Sequence, residues 1–165
     1  MSEDQVIVSQ RVTQQAHDSH SLTALVDEVE KQCGELPKKL TADTGFYQTE
    51  QIQNTIGRGI DVYIPDSNLA RELNYGRRAE TTDGCVTRRS DLVRQVRAKL
   101  RSPEGIEMYQ RRKQTVEPVF GVIKEQRQGR RFRLRGLTKM GLEFTFITLA
   151  YNITRFYNLS LANGS

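Results

Sequence analysis

The sequence predicts an α/β fold, and three observations carry the prediction. Short β-branched runs alternate with amphipathic helical periods over residues 1–65, and helical periodicity dominates residues 102–165. The chain's 165 residues, 36% of them hydrophobic and none Trp, suffice for one thinly filled core but not for two large domains. The expected division is a sheet-rich part over 1–65, a basic insertion over 66–101 and a helical part over 102–165.

In chain order, VIVSQRV within Gln5–Thr13 reads as a first strand. Ser21 then precedes Leu22, Leu25, Val26 and Val29 at helical spacing, so a helix is expected there, capped by Ser21 and stopped by Gly34. Lys38–Ala42 predicts a second strand, and Asp43-Thr44-Gly45 a turn at its C-terminal end. A helix from Thr49 to about Ile56 and a brief strand over Asp61–Ile64 complete the order strand, helix, strand, helix, strand. From Asp66 to about Arg89 the polar, basic composition reads as a long loop without fixed structure. Ser90 or Asp91 should cap the helix LVRQVRAKL, and Ser102-Pro103-Glu104 should start another that runs to about Gln126. Pro118 inside it lacks a donor, which predicts a kink or a second segment capped by Thr115, placing Glu117 near a helix N-terminus. Thr138–Asn158 is apolar on almost every face and reads as a mostly buried helix, its aromatics serving as core.

Charge is uneven. Residues 1–70 hold 5 basic and 11 acidic residues, 71–135 hold 18 and 8, and 136–165 hold 2 and 1. An arginine-rich block of that kind has the forked donors that suit phosphate oxygens, making nucleic acid the leading partner; the competing reading is a solvated or snorkelling basic surface. The longest apolar run, Phe144–Ile153, is too short to span a bilayer, so no membrane partner is expected. Cys33 and Cys85, with no CxxC, read as free thiols of a reducing cytosol. His17 and His20 form an HxxH in a polar loop without further ligands.

Two carboxylates stand out by context. Asp43 ends a strand before a glycine, and Glu117 lies on a helix whose same side carries Lys113 and Lys124, while Val116, Phe120 and Ile123 point to a core. A carboxylate pair at a sheet edge suits Mg²⁺. On the residues alone, a turn-shaping Asp43 and a lysine-paired Glu117 stand beside that reading.

Tyr109–Glu125, YQRRKQTVEPVFGVIKE, resembles the C-terminal signature of DDE transposases of bacterial insertion sequences, continued by RRFRLRGLTKMGLEFTFITLAYNITRFYN. LTADTGFYQTEQI is similar to the family's second-aspartate segment, and QVIVSQRVTQQAHDSHSL to the strand and loop before it. The resemblance implies a ribonuclease H-like fold, a mixed central sheet flanked by helices, in which two Asp and one Glu hold two Mg²⁺ ions. Carried over by position, Asp43 and Glu117 are the catalytic, metal-binding carboxylates and Lys124 the lysine that follows the glutamate. Tyr109 and Arg112 match the Tyr and Arg of the signature. Four residues rather than three separate Arg112 from Glu117, so phosphate contact is shared between Arg112 and Lys113. Arg130, Arg131, Arg133 and Arg135 would add DNA contacts.

The family's first aspartate would precede Gln5, where Met1 stands, and neither Asp4 nor Asp18 replaces it. The resemblance therefore implies an N-terminally truncated domain with one ligand missing. Its function would be DNA transposition, by Mg²⁺-dependent strand cleavage and transfer, with this chain alone inactive. The alternative is a non-catalytic DNA-binding or dimerising fragment that interferes with full-length transposase. Expected partners are DNA, at element ends and target, and a second copy or a full-length transposase. The expected location is cytoplasmic and nucleoid-associated.

Overall fold

A computed structural model describes residues 1–14, 18–75, 91–127 and 129–163. The elements are α1 (Leu22–Cys33), β1 (Lys39–Thr41), α2 (Thr49–Gly57), β2 (Asp61–Tyr63), α3 (Ser67–Tyr75), α4 (Asp91–Leu100), α5 (Pro103–Gly121) and α6 (Leu137–Asn163), with a π-helical turn at Val122–Gln126. They form two compact units: His17–Arg112, and Met1–Ala16 together with Lys113–Ser165.

In the His17–Arg112 unit, β1 and β2 pair in parallel, Lys39 opposite Asp61 and Thr41 opposite Tyr63, with α2 as the crossover. Parallel neighbours need such a connection because a hairpin cannot reverse the chain twice. The mixed central sheet implied by the resemblance is, among the described residues, this two-stranded sheet. Leu22 and Val26 from α1, Ile52 from α2, Ile60, Val62 and Ile64 around β2, Leu69 from α3 and Val96 and Leu100 from α4 make one core. Each such side chain contributes about 2 kcal/mol on burial. Gly34 ends α1 at φ 77°, its N–H donating to Glu30 O, as the sequence predicts. Ser21 precedes α1 but makes no side-chain cap; it is buried instead.

The loop expected from Asp66 onward is a helix as far as Tyr75. Asp66 accepts from the N–H groups of Asn68 and Leu69 and so caps α3, whose Leu69 and Ala70 are buried. Residues 76–90 of that expected loop, Cys85 among them, lie outside the described residues. Two forked arginine pairs tie α3 to α4: Arg97 to Asp66 at 2.5 and 2.7 Å, and Arg101 to Glu72 at 3.2 and 2.9 Å. The corner from α4 into α5 is tight. A Cβ at Gly105 would stand 2.0 Å from Lys99 O, and Ser102 Oγ caps α5 by accepting from Gly105 N.

In the other unit, Gln5–Thr13 is not a strand, because among the described residues no strand lies beside it. An asparagine side chain takes that place: Asn152 Oδ1 accepts from Ile7 N at 2.9 Å and Asn152 Nδ2 donates to Ile7 O at 2.8 Å. α5 continues through Pro118 without the Thr115-capped break that the sequence predicts. Pro118 cannot donate to Gln114 O, and Gln5 Nε2 does so from outside the helix at 2.9 Å. After Gly121 the π turn widens the helix, and Gly129 N closes it on Ile123 O at 2.9 Å. The small core consists of Val119, Ile123 and Tyr151, with Ile7, Val122, Phe144 and Ile147 against it. Phe120, expected inside, is 46% exposed, and Val119 is buried in its place. α6 is longer than predicted and far from mostly buried: Phe146, Phe156 and Tyr157 are exposed, leaving Phe144 and Tyr151 as its core aromatics.

Candidate functional site

Asp43 stands two residues after the end of β1, at the C-terminal edge of the parallel strands, where open α/β sheets bind ligands. Its carboxylate is exposed, and Oδ1 accepts from Gly45 N at 3.0 Å, which shapes the turn that leads to α2. A Cβ at residue 45 would sit 3.1 Å from that oxygen, so the glycine leaves the carboxylate room. The second carboxylate oxygen stays open to a ligand, so the turn-shaping role and the ligand role are compatible.

Glu117 lies in the other unit, near the C-terminal end of α5 rather than near an N-terminus, and is exposed. A carboxylate there gains nothing from the helix dipole. Among the described residues no ion pair engages it, so the lysine-paired reading does not hold. Lys124 is exposed too, its ammonium 5.6 Å over the Phe120 ring.

The basic residues divide into two groups. Upstream, Arg97 and Arg101 are consumed by Asp66 and Glu72, Arg111 pairs with Glu107 at 2.8 Å, and Lys99 contacts the Asp61 carboxylate while lying 3.8 Å over the Tyr63 ring. Burial pushes the Lys99 ammonium below its ordinary value and the Tyr63 hydroxyl above its own. Tyr109 is 3% exposed and belongs to the core, where the Arg112 guanidinium lies 5.3 Å over its ring. Its place is structural support for Arg112 rather than a surface for a ligand. Arg112 Nε is buried without a hydrogen-bond partner among the described residues.

Downstream, Lys113, Lys124, Arg130, Arg131, Arg133 and Arg135 are all exposed and all belong to one unit. Arg130 contacts Glu125, an exposed pair of the kind that contributes little and yields readily to a phosphate. The loop that carries the last four is held by Glu143, whose two carboxylate oxygens accept from Arg133 N and Leu134 N at 2.9 Å. Those backbone donors hold the Glu143 carboxyl below the ordinary carboxylate value. Sequence reasoning missed Glu143; the signal was the lone acid of an otherwise nearly uncharged helix.

Among the described residues no three His, Cys, Asp or Glu side chains converge on one point, and the two carboxylates that the sequence singles out fall one in each unit. Neither unit by itself offers the donor set that a pair of divalent ions needs. Of the HxxH, His20 is exposed and His17 lies outside the described residues. Cys33 is a free, exposed thiol. No described helix is long and apolar enough to cross a membrane.

A parallel β-α-β unit with a carboxylate at its strand edge, joined in one chain to a unit that displays six exposed cations on a loop and helix, defines a mixed α/β protein. The family model of the transposase DDE domain matches residues 73–157 of the 165, and the chain belongs to that family. Glu117, Lys124 and all the displayed cations lie within the matched span, and Asp43 lies outside it. No curated protein and no solved structure matches the chain.

Proposed function

We propose that the chain acts in DNA transposition as a DNA-holding part of a ribonuclease H-like DDE transposase domain, and that by itself it binds DNA without cutting it. Membership of the family supports the process. The observation that carries the division of labour is the contrast between the two functional groups: six exposed cations stand on one unit, whereas among the described residues no three His, Cys, Asp or Glu side chains converge to hold a metal. In this reading Lys113, Lys124 and Arg130, Arg131, Arg133 and Arg135 contact phosphates and give affinity and position rather than sequence choice. Arg112, braced on Tyr109, is a seventh candidate. On the family resemblance, Asp43 and Glu117 are each a candidate Mg²⁺ ligand of its own unit.

Six phosphate contacts correspond to a slope of log affinity against log salt of about −5, and a loss on the order of a thousandfold between 50 and 200 mM salt. Filter binding in EDTA measures this, and Arg131→Gln with Arg135→Gln should flatten the slope by about 2. Affinity that does not change with salt would remove the DNA-binding reading. Mg²⁺-dependent nicking of DNA by the purified chain, abolished in Glu117→Ala, would overturn the non-cutting one.

A further inference from the structure

Phe120 is the side chain that the small core leaves out. Val119 takes the buried place, while the Phe120 ring is 46% exposed and belongs to neither core. One exposed aromatic is ordinary; its neighbours are not. At about 100° per residue, Lys113, Glu117, Phe120 and Lys124 fall along one strip of α5 and the turn that follows it, all four exposed and all in one unit. The Lys124 ammonium stands 5.6 Å from the ring centroid. Glu117 lies one turn before the ring and Lys113 two turns before it, about 10 Å along the axis. Beside the ring, a Cβ at Gly121 would meet only open space, so that edge is uncovered. Phe132, which stands among the arginines, is instead turned edge-on to Phe144 at 6.0 Å.

We infer that Phe120 is a stacking platform for an unpaired nucleobase, so that the ligand of this strip is a single DNA strand rather than a closed duplex. The inference rests on the phosphate-binding reading above and adds the base to it. A protein surface covering the ring would also have to strip water from Lys113 and Lys124, without supplying negative charge in return. A DNA strand supplies both parts: an uncharged π face for the ring, and phosphates to either side for the two ammonium groups. Glu117 sharpens the placement, since its carboxylate repels phosphate from the middle of the strip and leaves that position to the uncharged base. In a closed duplex each base is already stacked between its neighbours, so the ring gains nothing there until a base is taken out of the stack. Stacking of this kind needs no metal.

The test is binding of the full chain, in EDTA, to an oligothymidylate strand, to the same strand paired with oligodeoxyadenylate, and to an abasic strand of equal length. Phe120→Leu keeps an apolar side chain and removes the π face. It should lower single-strand affinity relative to duplex affinity on the order of tenfold, with the salt slope unchanged because no cation is lost. The chain has no Trp, so Phe120→Trp makes position 120 its only indole reporter. The thymine-bearing strand should quench that emission, and the abasic strand should not. If Phe120→Leu loses its helicity by circular dichroism, the Phe120→Trp emission decides alone. An unchanged affinity ratio in folded Phe120→Leu, quenching by the abasic strand, or emission untouched by a bound thymine strand would overturn the stacking, while salt-sensitive duplex binding would leave the phosphate reading standing. Absence of salt-sensitive binding to all three ligands would remove both.

Discussion

Replacing Asp66 should cost about 3 kcal/mol of stability in the His17–Arg112 unit, and the cost can be worked from its two roles. The carboxylate takes a forked pair of hydrogen bonds from Arg97, at 2.5 and 2.7 Å, with the two side chains only 17 and 13% exposed. Removing one partner of a buried pair costs about 3–5 kcal/mol, and the remaining exposure brings this to about 2. The same carboxylate caps α3, and losing a cap costs about 1 kcal/mol. Burial pushes the Asp66 carboxyl up, but the hydrogen bonds from Arg97 and from the N–H groups of Leu69 and Asn68 outweigh it and hold the group below its ordinary value. A carboxyl lowered on folding stabilises the native state above its unfolded pKa, about 3.9, and loses that contribution as pH falls through the lower folded value. Urea unfolding followed by circular dichroism should therefore separate wild type from Asp66→Asn at pH 7, with the gap narrowing below about pH 4. Asp66→Ala within about 0.5 kcal/mol of wild type at pH 7, or a gap between wild type and Asp66→Asn that persists at pH 2, would refute the reasoning.

Gly105→Ala places a methyl group 2.0 Å from Lys99 O, so the α4–α5 corner must open, and urea unfolding should show a loss of about 2–4 kcal/mol. Asn152→Leu removes both hydrogen bonds to Ile7, so limited proteolysis should cut residues 1–14 at least tenfold faster while the helical signal of α6 stays. Glu143→Gln weakens the brace on the arginine loop, so Arg133 and Leu134 should lose hydrogen-exchange protection; in the wild type the protection, taken relative to the intrinsic amide rate at each pH, should likewise fall on acidification, since the lowered Glu143 carboxyl loses its hold as it protonates.

What the sequence revealed follows from how local each signal is. Gly34, Ser102-Pro103 and the apolar run at β2 act through their own neighbours, so α1, the start of α5 and β2 sit where the pattern places them. Strands depend on partners. Gln5–Thr13 has strand composition, yet its ladder partner is an asparagine side chain 145 positions away, which no period reveals. α3 was hidden by composition: its cap, Asp66, is visible after Pro65, but its polar surface reads as loop until Leu69 and Ala70 are seen to be buried. At the candidate site, the exposure of Glu117 and of the arginine loop follows from charge and spacing. The burial of Tyr109 does not, since an aromatic among arginines reads equally well as platform or core. α6 misled for a related reason. Apolar residues all round a helix predict burial on every side, and the pattern cannot say whether the chain itself or a second molecule provides the cover.

The basic block is not uniform. Counted as charge, residues 71–135 would offer up to 18 cations to a polyanion. The fold withdraws Arg97 into a partly buried fork with Asp66, ties Arg101 to Glu72 in an exposed one, seats Lys99 against Asp61 and Tyr63, and pairs Arg111 with Glu107, so these cations of the His17–Arg112 unit are engaged by its own groups. Downstream, the exposed cations stand on a loop whose backbone is pinned by Glu143, an expense of a carboxylate that a merely solvated surface does not require. On that pinned loop Arg131 and Arg135 stand exposed, as does Arg130 with its weak pair to Glu125, so a phosphate can meet them. The salt slope measures that division directly. A value near −5 corresponds to the downstream group alone, and one steeper than about −10 would mean that the paired arginines also leave their carboxylates for DNA.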